Sequence, residues 1–360
     1  MVIKLYDTLS GEKKALPKPG KKPLKLFVCG PTVYDYSHIG HGRTYIFFDI
    51  FTRYLKSLGY KVFYLQNITD IDDKIIARAK EKNLPPQKLA KKLIKSHLED
   101  MKALGITSVT KYARATQFIP EIVRQVQALI KKGYAYKIPG DGYYFDISKF
   151  KDYGKLSRRT AAQAEDAVSR IDDSVRKKNR GDFCLWKFPH SADLRRLNAD
   201  QRRRKFTIAN GEPVWATPLG WGRPGWHIED TAISEKFFGP QYEIHGGGLD
   251  LKFPHHEAEI AQAEAASGKK PFVKIWMHGG LLTVNGEKMS KSLGNFITIR
   301  DFLKIRSANI LRLIVASHHY RLPIDYTEEL ARDAQNALSG INEFLAKVEL
   351  IKSSKFKVTI

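Results

Sequence analysis

Cysteine is nearly absent from this 360-residue chain, which has only Cys29 and Cys184. A disulfide framework is therefore not what stabilises it, and a reducing cytoplasm is the simplest setting. No apolar run approaches the length needed to span a bilayer, and Met1-Val2-Ile3-Lys4-Leu5 lacks the pattern of a signal peptide. These absences lead us to expect a cytoplasmic protein without a membrane partner. Internal repeats and long low-complexity tracts are missing as well, which argues against a solenoid or a disordered scaffold. Acidic residues are also in short supply, with 38 against 61 lysines and arginines, giving a net charge of +23. Such an excess implies an extended polyanionic partner, most naturally nucleic acid, unless the host proteome is simply rich in lysine. The basic clusters Lys13-Lys14, Arg176-Lys177-Lys178, Arg195-Arg196 and Arg202-Arg203-Arg204-Lys205 favour the first reading, because several fall in one region.

What is present begins with alternating strand and helix patterns. Leu24 to Val28 reads as a buried strand. Tyr45, Phe48, Phe51, Tyr54 and Leu55 then recur at helical spacing until Gly59, and Lys61 to Leu65 is the next strand. This βαβ unit predicts an α/β fold with a doubly wound parallel sheet. A helix is expected over Lys74 to about Leu104, and another from Pro120. A hairpin is expected around Pro139-Gly140-Asp141-Gly142. From Lys151 to about Asn210 the text is polar, basic and irregular, as an insertion would be, and apolar-rich text returns from Val214 to Leu282. Helical segments follow over Ile305 to His318 and along Leu330, Ala334, Leu338, Ile341 and Leu345.

Two short motifs carry chemistry. His38-Ile39-Gly40-His41 follows the first strand and opens the first helix, and Lys288-Met289-Ser290-Lys291-Ser292 lies in a polar loop after a later strand. At random composition a given tetrapeptide occurs in such a chain with probability on the order of 0.002, so the ordered pair is a specific signal. At a helix N-terminus, unpaired N–H groups and a partial positive charge suit a phosphate. His38 and His41, three residues apart, share a face there and can donate to phosphate oxygens as charge builds in a transition state. Gly40, without a Cβ, permits close approach of a nucleotide. Lys288 and Lys291 follow the turn dipeptide Asn285-Gly286 and can close over the remaining phosphates. The plainer readings are a helix start that happens to hold two histidines and a solvated basic loop.

Taken together, the two motifs resemble the signature of class I aminoacyl-tRNA synthetases, and Cys29-Gly30-Pro31-Thr32-Val33-Tyr34-Asp35 narrows the resemblance to the cysteinyl-tRNA synthetase family. It covers about residues 22 to 345. The resemblance implies a Rossmann-like catalytic domain with a connective insertion, followed by a helical C-terminal segment. It divides the chain into a first catalytic half (1–110), the insertion (111–213), a second catalytic half (214–285), the lysine loop with a stem-contact region (286–325), and the start of a helical anticodon-binding bundle (326–360). The implied activity is cysteine activation by ATP with Mg2+, followed by transfer to tRNA-Cys. Catalysis would fall to His38, His41, Lys288 and Lys291. ATP would be bound by Gly40, His245, Gly247, Asp250 and Lys291, and the cysteine pocket lined by Thr69 and Trp226.

His255 and Glu259 stand at i and i+4, so an imidazole and a carboxylate share one helix face. Alone this is an ordinary exposed pair. The resemblance carries one zinc ion to Cys29, His255 and Glu259. It also marks a departure: Trp226-His227-Ile228-Glu229 would ordinarily run on to a cysteine ligand, and here the residue is Asp230. Carboxylate for thiolate keeps the charge and hardens the site, so Asp230 is either a ligand or the place where metal binding weakens. Two alternatives stay open. One is a ligase joining cysteine to a small amine, and the other is a non-catalytic RNA-binding paralogue. A monomer is expected. The short C-terminal bundle leads us to expect weak tRNA selection or the help of a separate tRNA-binding polypeptide. The arginine-rich stretch from His190 to Val214 is longer than the resemblance explains.

Overall fold

The computed structural model describes residues 2–159, 176–290 and 293–353. At its centre lies a parallel sheet of five strands: β1 (Leu24–Val28), β2 (Val62–Ile68), β3 (Lys111–Arg114), β4 (Tyr242–Gly248) and β5 (Val273–Gly279). Their spatial order is β3-β2-β1-β4-β5, so the winding reverses between β1 and β4. In open α/β sheets a ligand crevice forms at that reversal, beyond the carboxyl ends of the strands. β1 ends at Val28, which places Cys29 at the crevice.

Alternation along β1 decides what each residue meets. Leu24, Leu26 and Val28 enter the core beneath helix α1 (Ile39–Ser57), whereas Phe27 and Cys29 enter the core on the opposite face. That second core is built with α4 (Ile119–Lys131), α5 (Ile228–Phe238) and α6 (Glu257–Ser267). β4 carries the same alternation. His245 lies in register with Phe27, and Gly246 with Val28. A Cβ on Gly246 would sit 2.1 Å from Phe48 Cζ, so glycine is what lets α1 lie down on β4.

The helix expected over Lys74 to Leu104 is two helices, α2 (Asp73–Glu81) and α3 (Pro86–Ala103), because Pro85-Pro86 cannot continue the first and instead opens the second. The segment Ile305 to His318 likewise holds the end of α7 (Ile299–Ile305) and then α8 (Ala308–Ala316), with Arg306 extended and Ser307 at the cap position. In α9 (Glu328–Ser353), Ala331 and Ala334 are buried against the core, whereas Ile341 and Leu345, of the expected apolar face, are exposed.

Between β3 and β4 stands an antiparallel sheet of six strands, ordered Ala135–Ile138, Gly142–Phe145, Phe183–Lys187, Gly220–Pro224, Glu212–Thr217 and Phe206–Ala209. The hairpin around Gly140 is its first pair, and Cys184 is a buried residue of its third strand. Arg223 ties this sheet to Asp73 at the start of α2.

Candidate active site at the sheet reversal

His38 caps α1. Its Nδ1 accepts the Gly40 N–H at 3.1 Å, and His41 Nδ1 accepts the His38 N–H at 3.4 Å. Both δ-nitrogens are therefore acceptors, which leaves the proton of each neutral imidazole on Nε2. The rings stack at 3.9 Å. Burial holds His38 neutral, with its pKa pushed down to about 4. His41 is depressed further by burial and by the neighbouring His38 and His97.

The lysine loop lies directly against this cap. Asn285 and Gly286 both have positive φ and form the tight turn between Leu282–Val284 and Glu287–Lys288. Further on, Ile39 N–H donates to Ile297 O at 3.1 Å and Ile299 N–H to Ser37 O at 2.9 Å, so the backbones beside the two motifs are bonded to each other. Met289 packs over Gly40, where a Cβ would lie 3.0 Å from Met289 Cε and 2.9 Å from His38 Nδ1. His38, His41, Lys288, Met289 and Ser290 share a cleft of about 700 Å³ with Tyr34, Lys74 and Arg78. Lys291 lies outside the described residues.

On the other face of the sheet, four donors converge. Cys29 Sγ is 3.2 Å from Asp230 Oδ2 and 3.7 Å from Glu259 Oε1, and His255 Nε2 is 3.1 Å from Asp230 Oδ2 and 3.0 Å from Glu259 Oε1. All four are buried. His255, in the turn that leads into α6, and Glu259, in the first turn of α6, thus meet the strand-end cysteine as their i,i+4 spacing suggests, and Asp230 stands among them. Burial pushes the Cys29 thiol up, and Glu259 and Asp230 push it further. Burial and then Asp230 raise Glu259 in turn. Among the described residues no lysine or arginine pairs with this cluster, and Glu259 Oε2 has no hydrogen-bond partner. A buried set of one sulfur, one nitrogen and two carboxylates without a counter-charge fits a divalent cation of borderline softness such as zinc.

Several residues at this centre escaped the reading of the sequence. Asn67 donates through Nδ2 to Asp230 Oδ1 while its own Oδ1 accepts the Gly30 N–H at 2.6 Å. His227 Nδ1 lies 2.8 Å from His255 Nδ1, which turns His255 Nε2 toward the carboxylates. His245 does not line the cleft with His38. Its Nε2 lies 3.2 Å from Cys29 Sγ and its Nδ1 2.7 Å from Tyr242 OH. His256 Nε2 approaches the same sulfur at 3.1 Å. Of the pair expected at the cysteine pocket, Thr69 donates to Glu229 Oε1 beside Asp230, and Trp226 stacks on His255 at 4.5 Å. Gly247, the last residue but one of β4, lies against His256, and Asp250 is exposed just beyond the strand end. The strand alternation that aims His245 at Cys29 was available in the sequence, but the β1–β4 pairing was not.

Comparison with known proteins bears on the family and the fold. A family model described as the catalytic domain of class I tRNA synthetases (C) matches residues 16–336. The chain is 47% identical over 357 residues to a cysteine–tRNA ligase of Thermoplasma volcanium, covering 99% of this chain and 74% of that protein. It is 48% identical to one of Methanococcus maripaludis, covering 98% of this chain and 70% of that protein. Among solved structures, the methionyl-tRNA synthetase of Mycobacterium tuberculosis with methionyl-adenylate superposes with a TM-score of 0.63 at 15% identity, covering 88% of this chain and 68% of that one. That similarity bears on the fold alone. With the histidine and lysine motifs meeting over one cleft and a family match across most of its length, the chain belongs to the class I cysteinyl-tRNA synthetases.

Proposed function

We infer that this chain is a cysteine–tRNA ligase that joins L-cysteine to ATP, releasing pyrophosphate, and passes the cysteinyl group to the 3′ end of tRNA-Cys. The observation that carries the reading is the pair of sites on the two faces of one strand end: the donor cluster around Cys29 and the cleft holding His38, His41 and Lys288.

Cys29, Asp230, His255 and Glu259 would hold one zinc ion, which supplies a Lewis acid for the sulfur of the amino acid. A hydroxyl competes poorly for such a site, which would separate cysteine from serine without an editing domain. Trp226, stacked on His255, and Thr69, anchored on Glu229, wall the space beside the cluster. The amino-acid carboxylate attacks the α-phosphorus of ATP, and the bond to the bridging oxygen breaks toward pyrophosphate. His38 and His41, neutral and carrying Nε2 protons, donate to the α-phosphate oxygens as charge builds. Lys288, on the rim of the same cleft, neutralises the leaving pyrophosphate, with Lys291 as its expected partner. Gly247 and Asp250, at the carboxyl end of β4, border the adenosine. Positioning and electrostatics account for the acceleration, as in phosphoryl transfer generally.

Cysteine-dependent ATP–pyrophosphate exchange and charging of tRNA-Cys test this together. Exchange with cysteine and not serine, followed by charging, is the expected result. Exchange without charging, with the cysteinyl group passed to a small amine instead, would assign that acceptor, and no exchange would refute the reading.

A further inference from the structure

The arginine-rich stretch that the resemblance does not explain forms a small folded arm. Two short helices, Ser191–Arg195 and Ala199–Arg203, lead into the edge strand Phe206–Ala209 of the antiparallel sheet. Asn198 and Gln201 cap the second helix reciprocally, at 2.8 and 3.0 Å. Leu197, Ala209 and Val214, with Leu194 and Trp221, make a core of their own beneath it. That core fixes which way the remaining side chains face. Arg195, Arg196, Arg202, Arg203, Arg204 and Lys205 are all exposed. Arg204 pairs with Asp200, but among the described residues no carboxylate pairs with Arg195, Arg196, Arg202 or Arg203. Phe206, exposed and packed on Trp215 at 4.9 Å, adds an aromatic surface beside them.

Arg195 donates to Ser191 Oγ at 3.5 Å and Arg202 to Arg195 O at 3.0 Å, which orders both side chains without neutralising them. An ordered display of guanidinium groups without carboxylate partners, beside an exposed ring, fits a polynucleotide, whose phosphates take the charge and whose bases can stack. The arm also belongs to the body that borders the cleft. Its sheet is tied through Arg223 to Asp73, at the head of the helix whose Lys74, Ala77 and Arg78 line that cleft. We propose that this arm (residues 190–209) is a phosphate-binding surface for the RNA that presents its 3′ end to the cleft. The proposal rests on the tRNA ligase reading. It assigns the arm to tRNA capture and not to cysteine activation.

The test is a variant carrying Arg195→Gln, Arg196→Gln, Arg202→Gln and Arg203→Gln in the full chain, beside the same four sites changed to lysine. With glutamine, the KM for tRNA-Cys should rise at least about tenfold at about 0.1 M salt. The slope of log affinity against log salt should become shallower by about 3, from the loss of four phosphate contacts. Cysteine-dependent ATP–pyrophosphate exchange should be unchanged, which also certifies folding. The lysine variant should recover most of the tRNA affinity and the slope. An unchanged KM and slope in the glutamine variant overturns the proposal. So does a variant that loses only binding to anionic lipid vesicles, which would assign the surface to a membrane. Failure of the ligase reading would show separately, as absence of exchange in the unmutated chain, and filter binding of tRNA would still test the arm.

Discussion

Asp230 is the residue on which the chemistry of the proposed metal centre turns. It occupies a place where the family resemblance expects a thiolate, and its Oδ2 faces both Cys29 Sγ and His255 Nε2 while Asn67 holds Oδ1. Asp230→Ala should lower zinc affinity about 10- to 100-fold, read by metal analysis after dialysis and by the loss of cobalt–thiolate absorption in the cobalt-loaded protein. Asp230→Cys should retain the ion more tightly, and identical metal content in all three proteins would show that Asp230 is not a ligand. His97, buried on α3 with Nδ1 3.0 Å from Ser37 Oγ, gives a separate prediction. Burial pushes its pKa down to about 4 from an ordinary 6.5. The unfolded chain therefore binds an extra proton between these values, so this contribution is complete above pH 6.5 and is lost as the pH falls toward 4. At pH 5 the loss is about 2 kcal/mol. The drop in denaturation midpoint between pH 7 and pH 5 should be smaller in His97→Gln, and an equal drop would contradict the assignment.

At the scale of elements, strand ends and one helix cap assemble the site. Gly246 is the contact on which the packing of α1 over β4 depends, since any Cβ there meets the Phe48 ring. Gly246→Ala should cost about 1–3 kcal/mol through overpacking and displace the His38 cap, so both the urea midpoint and the exchange rate should fall. An unperturbed midpoint would show that α1 can shift freely. Signals local to the chain were legible in the sequence. The i,i+4 spacing of His255 and Glu259, the Asn-Gly turn before the lysine loop, and the hairpin at Gly140 all appear where their residues suggest. What was not legible depends on partners distant in sequence. His245 turns to sulfur because β4 lies beside β1 in one register, and Asn67 reaches Asp230 across 163 positions of sequence. The Pro85-Pro86 break between α2 and α3 was within reach of local reading, since proline opens helices and rarely continues them.

For the whole molecule, the donor cluster around Cys29 and the cleft of His38 lie on the two faces of the central sheet, and the proposed tasks divide along them. No described helix is long and apolar enough to cross a membrane, and the net charge of +23 suits a polyanionic substrate. The chain spans 70–74% of the lengths of the Thermoplasma volcanium and Methanococcus maripaludis ligases that it resembles, and their shared portion contains both faces of the site. In the proposed reading, a cation held by Cys29, Asp230, His255 and Glu259 selects the amino acid activated in the adjoining cleft. The most direct measurement is zinc content together with cysteine-dependent ATP–pyrophosphate exchange, before and after chelation. One zinc per chain, loss of exchange when it is removed, and recovery when zinc is returned are the expected results. Full exchange by the metal-free protein would contradict the reading.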